Sequence, residues 1–197
     1  MSSLFERLRF LVRLTRAHRI ARRYFVVNGF DGALTMLGIT IGFHASGMGD
    51  LRVMLGTGLG AAIALAVSGV ASAYVSESAE RERELKELEH ALAHDLSDSV
   101  HGIAALWVPW LIAAINGIAP LLIAVLILAP LALARAGISL PWGPLHLSIA
   151  MAFVCVFFLG AFLGSVSGRF WLWSALRTTL IAVATAGVIL LVDSLLD

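Results

Sequence analysis

Asp31 is the residue whose type and setting most plainly call for chemistry. It sits inside YFVVNGFDGALTMLGITIGF, residues 24–43, with Asn28 about one helical turn before it. That run is long and apolar enough to cross a bilayer. A carboxylate at bilayer depth costs about 2.5–3.5 kcal/mol on insertion scales, so a chain keeps one mainly where it faces protein or water and has a task there. Gly29 and Gly32 flank the acid, which lets other backbone approach closely and loosens the helix at that point. The chemistry that fits is cation binding on a path, with Asn28, Thr35, Ser68 and Ser72 lining it. A local role competes: Asp31 capping a helix that restarts after a break, with Thr35 as its partner.

A second constellation begins where the apolar character ends, at SESAERERELKELEHALAHDLSDSVHG. Glu77, Glu80, Glu84 and Glu87 follow one another at intervals of three, four and three, which puts four carboxylates on one helix face. No Gly or Pro interrupts the segment before Gly102, so the face is expected to continue through His90, His94, Asp98 and His101. Arg81, Arg83, Lys86 and Glu89 fall largely off that line. Carboxylates and imidazoles in this arrangement suit a divalent first-row metal; without Met or Cys they leave Fe²⁺, Mn²⁺, Zn²⁺ and Co²⁺ open. The metal-ligating candidates are therefore Asp31, Glu77, Glu80, Glu84, Glu87, His90 and His94. One helix points all its ligands the same way, so closing a site takes a second helix or a second protomer. A solvated helix with internal ion pairs is the competing reading. Against it stand the repulsion of stacked like charges and the two imidazoles, His90 and His94, at i and i+4.

The elements that must position these residues are membrane helices. Of 197 residues, 59% are hydrophobic and 14% charged, against about 25% charged in ordinary soluble domains. Mean hydropathy is +0.91. The length suits one membrane domain and leaves no room for a separate soluble enzyme. Cys155 is the single cysteine, which excludes an intramolecular disulfide and a Cys-based metal site. Net charge is +1 and the charges are segregated along the chain, so nucleic-acid binding is not expected. A membrane protease would need partners for Ser68 among His44, His101 and His146, but neither Gly-x-Ser-x-Gly nor His-Glu-x-x-His occurs. No enzyme and no resident cofactor are expected.

Residues 1–23 read as an amphipathic, basic helix suited to an anionic membrane surface, with Leu4, Leu8 and Leu11 at helical spacing. Five apolar segments follow, at about 24–43, 53–76, 103–134, 145–167 and 171–193, each reaching the ~20 residues a span needs. The fold class expected is all-α: a bundle of five transmembrane helices over residues 24–197, with residues 77–101 as a cytoplasmic acidic extension of the second. The third segment is longer than one span requires and contains Pro109, Pro120 and Pro130, so it either starts at the interface or is kinked. Seven Arg precede the first span; Arg81, Arg83 and Lys86 lie between the second and third, and Arg169 between the fourth and fifth. The opposite side has only Arg52 and Arg135. This bias predicts a cytoplasmic N-terminus and an outer or lumenal C-terminus. Gly-x-x-x-Gly spacings at Gly38/Gly42, Gly56/Gly60 and Gly160/Gly164 serve close helix packing, within one protomer or between two.

Several stretches together resemble the vacuolar iron transporter family, especially its shorter, nodulin-21-like and prokaryotic members. These are NGFDGALTMLGITIGF in the first span, SGVASAYVSESAE from Ser68 to Glu80, Asn116-Gly-Ile-Ala-Pro120-Leu-Leu, and Gly160 to Arg169 with Ala175-Leu-Arg177. The resemblance implies a five-helix protomer that forms a homodimer, with a cation path along the interface. It further implies export of Fe²⁺ or Mn²⁺ from the cytoplasm in exchange for protons. Asp31 matches the family's path-lining aspartate, and Glu77 to His94 falls where its cytoplasmic extension gathers metal. The expected partners are thus lipid, a divalent metal and a second copy, in the plasma membrane of a prokaryote or otherwise in a vacuolar membrane. The chain departs from the family in three places. It has only residues 76–102 where the best-studied members insert a helical metal-binding domain. It carries Gly69 where the family has a methionine, and Tyr24 at an acidic position. A membrane-anchored metal sensor or store, without transport, is the alternative.

Overall fold

The computed structural model describes residues 17–47 and 49–196. Residues 1–16, most of the expected surface helix, lie outside them. The described residues form five helices and no strand: α1 Ala17–Ala45, α2 Leu51–Leu92, α3 Val100–Arg135, α4 Pro144–Val166 and α5 Trp171–Leu196. All five are long and apolar enough to cross a membrane. The chain is an integral membrane protein built wholly of helices.

Local chemistry sets the breaks between them. Asp50 accepts from the backbone N–H of Arg52 at 2.8 Å and starts α2. Pro144 opens α4, where its missing N–H costs nothing. At the end of α3, Ile138 N–H donates to Leu133 O at 3.1 Å and Gly137 takes φ +85°, a helix stop that a left-handed glycine permits.

The chain divides into two compact units. In the first, residues 17–25 and 66–118, α3 presents Ala104, Val108 and Ile112 at four-residue spacing, and Ile20 and Tyr24 pack on them. The buried Asn116 donates from Nδ2 to the Gly69 carbonyl at 2.7 Å. Tyr74 lies against Trp110, ring centroids 4.3 Å apart.

In the second unit, residues 26–65 and 119–197, small residues let helices meet backbone to backbone. A Cβ on Gly32 would stand 2.8 Å from Pro120 Cα, and one on Gly160 would stand 3.0 Å from Ala175 Cα. Gly160 and Gly164 therefore serve α4–α5 packing inside the protomer, whereas Gly42, Gly56 and Gly60 have nothing within 4 Å of that position. Met36, Leu37, Met54, Ile127, Leu131 and Val156 are fully buried. The buried Thr40 hydroxyl returns to its own helix, 2.9 Å from Met36 O.

Candidate functional site

α1 runs without a break through Gly29, Asp31 and Gly32, so Asp31 caps no helix and the expected loosening does not interrupt the element. The acid lies near the middle of the membrane-crossing stretch Arg19–Ala45. Its side chain is on the exposed side of α1, flanked by half-buried Asn28 and Thr35. No ion pair or side-chain hydrogen bond reaches Asp31 among the described residues. On α2, Ser68 and Ser72 are also exposed, and the Ser72 hydroxyl donates to Gly69 O at 3.3 Å.

α2 is longer than one membrane crossing needs. Its 42 residues extend about 63 Å, roughly twice the hydrocarbon thickness. The charged part from Glu77 onward follows its apolar part. Arg81 belongs to the acidic face, which corrects its assignment off that line. Its guanidinium lies 2.6 Å from Glu84 and 3.8 Å from Glu77, and Glu77 and Arg81 are both buried. The Arg81 Nε has no hydrogen-bond partner there. Arg83 pairs with Glu87 at 2.9 Å and also feels Glu80 electrostatically. Lys86 pairs with Glu82 at 2.6 Å. The Lys86 ammonium holds the Glu82 carboxyl below its ordinary range, while Glu87, and Glu80 more weakly, hold the Arg83 cation more firmly protonated. These i,i+3 and i,i+4 pairs are the internal ion pairs of the competing reading, with the Glu77–Arg81 contact buried and the Arg83 and Lys86 pairs exposed. They engage three of the four face carboxylates.

The expectation that this face runs on to His101 also needs correction. The helix stops at Leu92, Ala93 takes φ +48°, and the His94 N–H donates to Glu89 O at 3.3 Å. His90 is thus on α2, His94 and Asp98 are in the connection, and His101 is on α3. The cause is a cluster of side chains that compete for backbone donors. Glu89 accepts from Leu96 N–H at 3.0 Å, and Asp95 accepts from both the hydroxyl and the N–H of Ser97. Ser99 accepts from His101 N–H at 3.1 Å and starts α3. Gly102 completes the corner, since a Cβ there would lie 2.6 Å from Leu96 O. The letters Asp-Leu-Ser-Asp-Ser carried this signal; helical propensity masked it. Among the described residues no three His, Cys, Asp or Glu side chains converge as a metal centre.

Two of the three departures from the family acquire local reasons. Gly69 receives Asn116, and a Cβ there would lie 3.2 Å from the Asn116 carbonyl oxygen, so a methionine would need α3 to move. Tyr24 packs on the Ala104–Val108–Ile112 stripe and lies under the Arg23 guanidinium, 5.6 Å from its centroid. At both positions packing occupies a place that the resemblance gives to a ligand.

The described residues thus form five membrane-length helices, one with an exposed carboxylate near its middle and one that continues as a charged segment. Comparison with known proteins adds the family. The sequence profile of the VIT family matches residues 22–100. A protein of Methanocaldococcus jannaschii, described only as uncharacterized, is 30% identical over 167 residues, covering 83% of this chain and 84% of its own length. No solved structure matches the chain significantly. The chain belongs to the VIT family, whose members are membrane transporters rather than enzymes.

Proposed function

We propose that this protein exports a divalent first-row metal, Fe²⁺ or Mn²⁺, from the cytoplasm in exchange for protons, along a path between two copies of the chain. The observation that carries this reading is the exposure of Asp31 at mid-span. A carboxylate facing hydrocarbon is penalised by about 2.5–3.5 kcal/mol, so an exposed one calls for a cover of protein or water. A second copy is a cover of the right kind. On α2, Gly56, Gly60, Ala64, Ser68 and Ser72 recur every four residues and all are exposed, a small-residue stripe suited to close helix approach in lipid. Oxygen donors at Asp31, Asn28 and Thr35 suit Fe²⁺ and Mn²⁺. Proton and metal compete for the same carboxylate, and that competition couples one flow to the other. Glu77, Glu80, Glu84, Glu87 and His90 along α2, with His94 just past its end, act in capturing metal on the cytoplasmic side, with metal displacing Arg81 and Arg83 from their carboxylates. The arginine bias supports a cytoplasmic N-terminus.

The test is metal flux into vesicles holding the reconstituted protein under an imposed pH gradient. The parent should carry Mn²⁺ or Fe²⁺ and move protons the other way. Asp31→Asn should fall to the background of empty vesicles while still inserting and dimerising. Undiminished flux in Asp31→Asn defeats the mechanism. Metal binding by the parent with no flux would instead establish the sensor or store.

A further inference from the structure

The corner between α4 and α5 carries a mainly apolar groove with two arginines in its lining, which the transport reading does not use. α4 ends with Ser167 N–H donating to Leu163 O at 3.0 Å, and Gly168 at φ +67° turns the chain so that Arg169 N–H donates to Gly164 O at 3.0 Å. This turn brings Arg169 into the lining of a groove of about 870 Å³. Arg177, Trp173 and the hydroxyl residues Ser167 and Ser174 share its lining, and Leu163, Leu180 and Ile181 continue it as an apolar wall.

Three observations define what such a groove would take. First, its charge is of one sign: no Asp or Glu lines it, and neither arginine has an ion pair among the described residues. The first turn of α5 has no acidic residue either, so the helix N-terminus adds its partial positive charge at the same end. Second, Arg177 lies six residues into α5, about 9 Å along a membrane-crossing helix, and is exposed. A guanidinium at that depth must snorkel along its stem toward the interface or meet a counter-charge, and the groove supplies none. Third, the arginines stand beside Trp173, a residue type that settles at headgroup level, while Leu180 and Ile181 lie deeper along α5. A phosphate above and an acyl chain below match this order of surfaces.

We propose that the α4–α5 groove binds an anionic glycerophospholipid. Arg169 and Arg177 hold its phosphate, the Ser167 and Ser174 hydroxyls bond the headgroup, and one acyl chain follows Leu180 and Ile181. Guanidinium suits this task because it presents paired donors to phosphate oxygens. The site lies within α4 and α5 and is independent of the transported ion.

The full chain, purified in detergent, tests this by native mass spectrometry with graded phosphatidylglycerol, phosphatidylcholine or inorganic phosphate. Phosphatidylglycerol should stay bound in preference to phosphatidylcholine. Arg169→Gln and Arg177→Gln should each weaken it about tenfold, the loss of one charge-assisted contact. Arg135→Gln, an exposed charge at the far end of α3, should leave binding unchanged. The Arg169→Lys/Arg177→Lys pair keeps the charge and should keep the preference at lower affinity, which guards against misfolding of the glutamine variants. Equal retention of phosphatidylcholine overturns the proposal, as does retention of phosphatidylglycerol by a folded double-glutamine variant. Full displacement by inorganic phosphate assigns the groove to a free anion and also overturns it. Adducts confined to monomers, and excluded from dimers, would show that a second copy fills the groove instead.

Discussion

Replacing Arg81 by Gln separates the two things the acidic face of α2 could be doing. The parent places one nearly buried guanidinium between a nearly buried Glu77 and a half-exposed Glu84. Breaking a fully buried pair from one side costs about 3–5 kcal/mol, whereas an exposed pair contributes about 0–1 kcal/mol. The Glu84 contact is short but wet, and the Glu77 contact is dry but long at 3.8 Å. The two together place the loss at about 2–3 kcal/mol, short of a fully enclosed pair. Thermal unfolding of the purified protein in detergent with chelator present should show it as a lowered midpoint. The second half of the experiment adds Mn²⁺. The variant leaves the carboxylates of Glu77 and Glu84 without a cation, and a divalent ion can take that place. A ligand that binds only the folded state stabilises it by about 2.7 kcal/mol at a hundredfold excess over its Kd. Mn²⁺ should therefore raise the midpoint of Arg81→Gln more than that of the parent and restore most of the loss. An equal effect of Mn²⁺ on both proteins would mean that these carboxylates hold no metal and that the face is a paired, solvated surface. A loss below about 0.5 kcal/mol, the range of ordinary surface substitutions, would refute the burial argument itself.

Other consequences follow from single contacts. Gly160→Ala should destabilise the fold by about 1–3 kcal/mol, because the added Cβ meets the Ala175 backbone, which cannot step aside. Gly60→Leu should leave the monomer's stability nearly unchanged, since that position opens on free space, yet shift the dimer toward monomer in light scattering if α2 forms the interface. Asn116→Ala removes the 2.7 Å bond to Gly69 and should lower stability by roughly 0.6–1.7 kcal/mol, the span measured for interhelical bonds in lipid. The corner at residues 93–99 should respond to acid. Asp95 is held below the ordinary carboxylate range by the Ser97 hydroxyl first and the Ser97 N–H second. A depressed folded value means that its contribution is complete above the ordinary carboxylate pKa and is lost as pH falls through the lower, folded value. Protection of the Ser97 amide against hydrogen exchange should fall in that acidic window, and Asp95→Ala should remove the pH dependence.

Element type was legible in the sequence because twenty-residue apolar runs have few alternatives, and all five runs are helices. What a linear reading misjudged was competition between nearby groups. Glutamates at three- and four-residue spacing read as a row of free ligands, yet the same spacing admits Arg81, which reaches both Glu77 and Glu84. A helix with no Gly or Pro read as unbroken, yet Glu89, Asp95 and Ser99 offered backbone donors a better arrangement and ended it at Leu92. Both corrections lie in the charged segment, where small energies decide between conformations. Asp31 is of a different order, because lipid offers its carboxylate nothing to compete with. Its position halfway along an unbroken helix, on an exposed side, leaves its charge without a cover from any described residue. A chain that left such a group in hydrocarbon would carry a penalty comparable to a good part of its stability. The same exposure on which the proposed cation stop at Asp31 rests is therefore an argument that a protomer alone is incomplete. Cross-linking of cysteines placed at Gly56 or Gly60 should join two copies in the membrane. An Asp31→Leu variant should then remain stable as a monomer where the parent does not. If the parent proves monomeric and equally stable in lipid, the carboxylate is covered in some other way and the two-copy path is refuted.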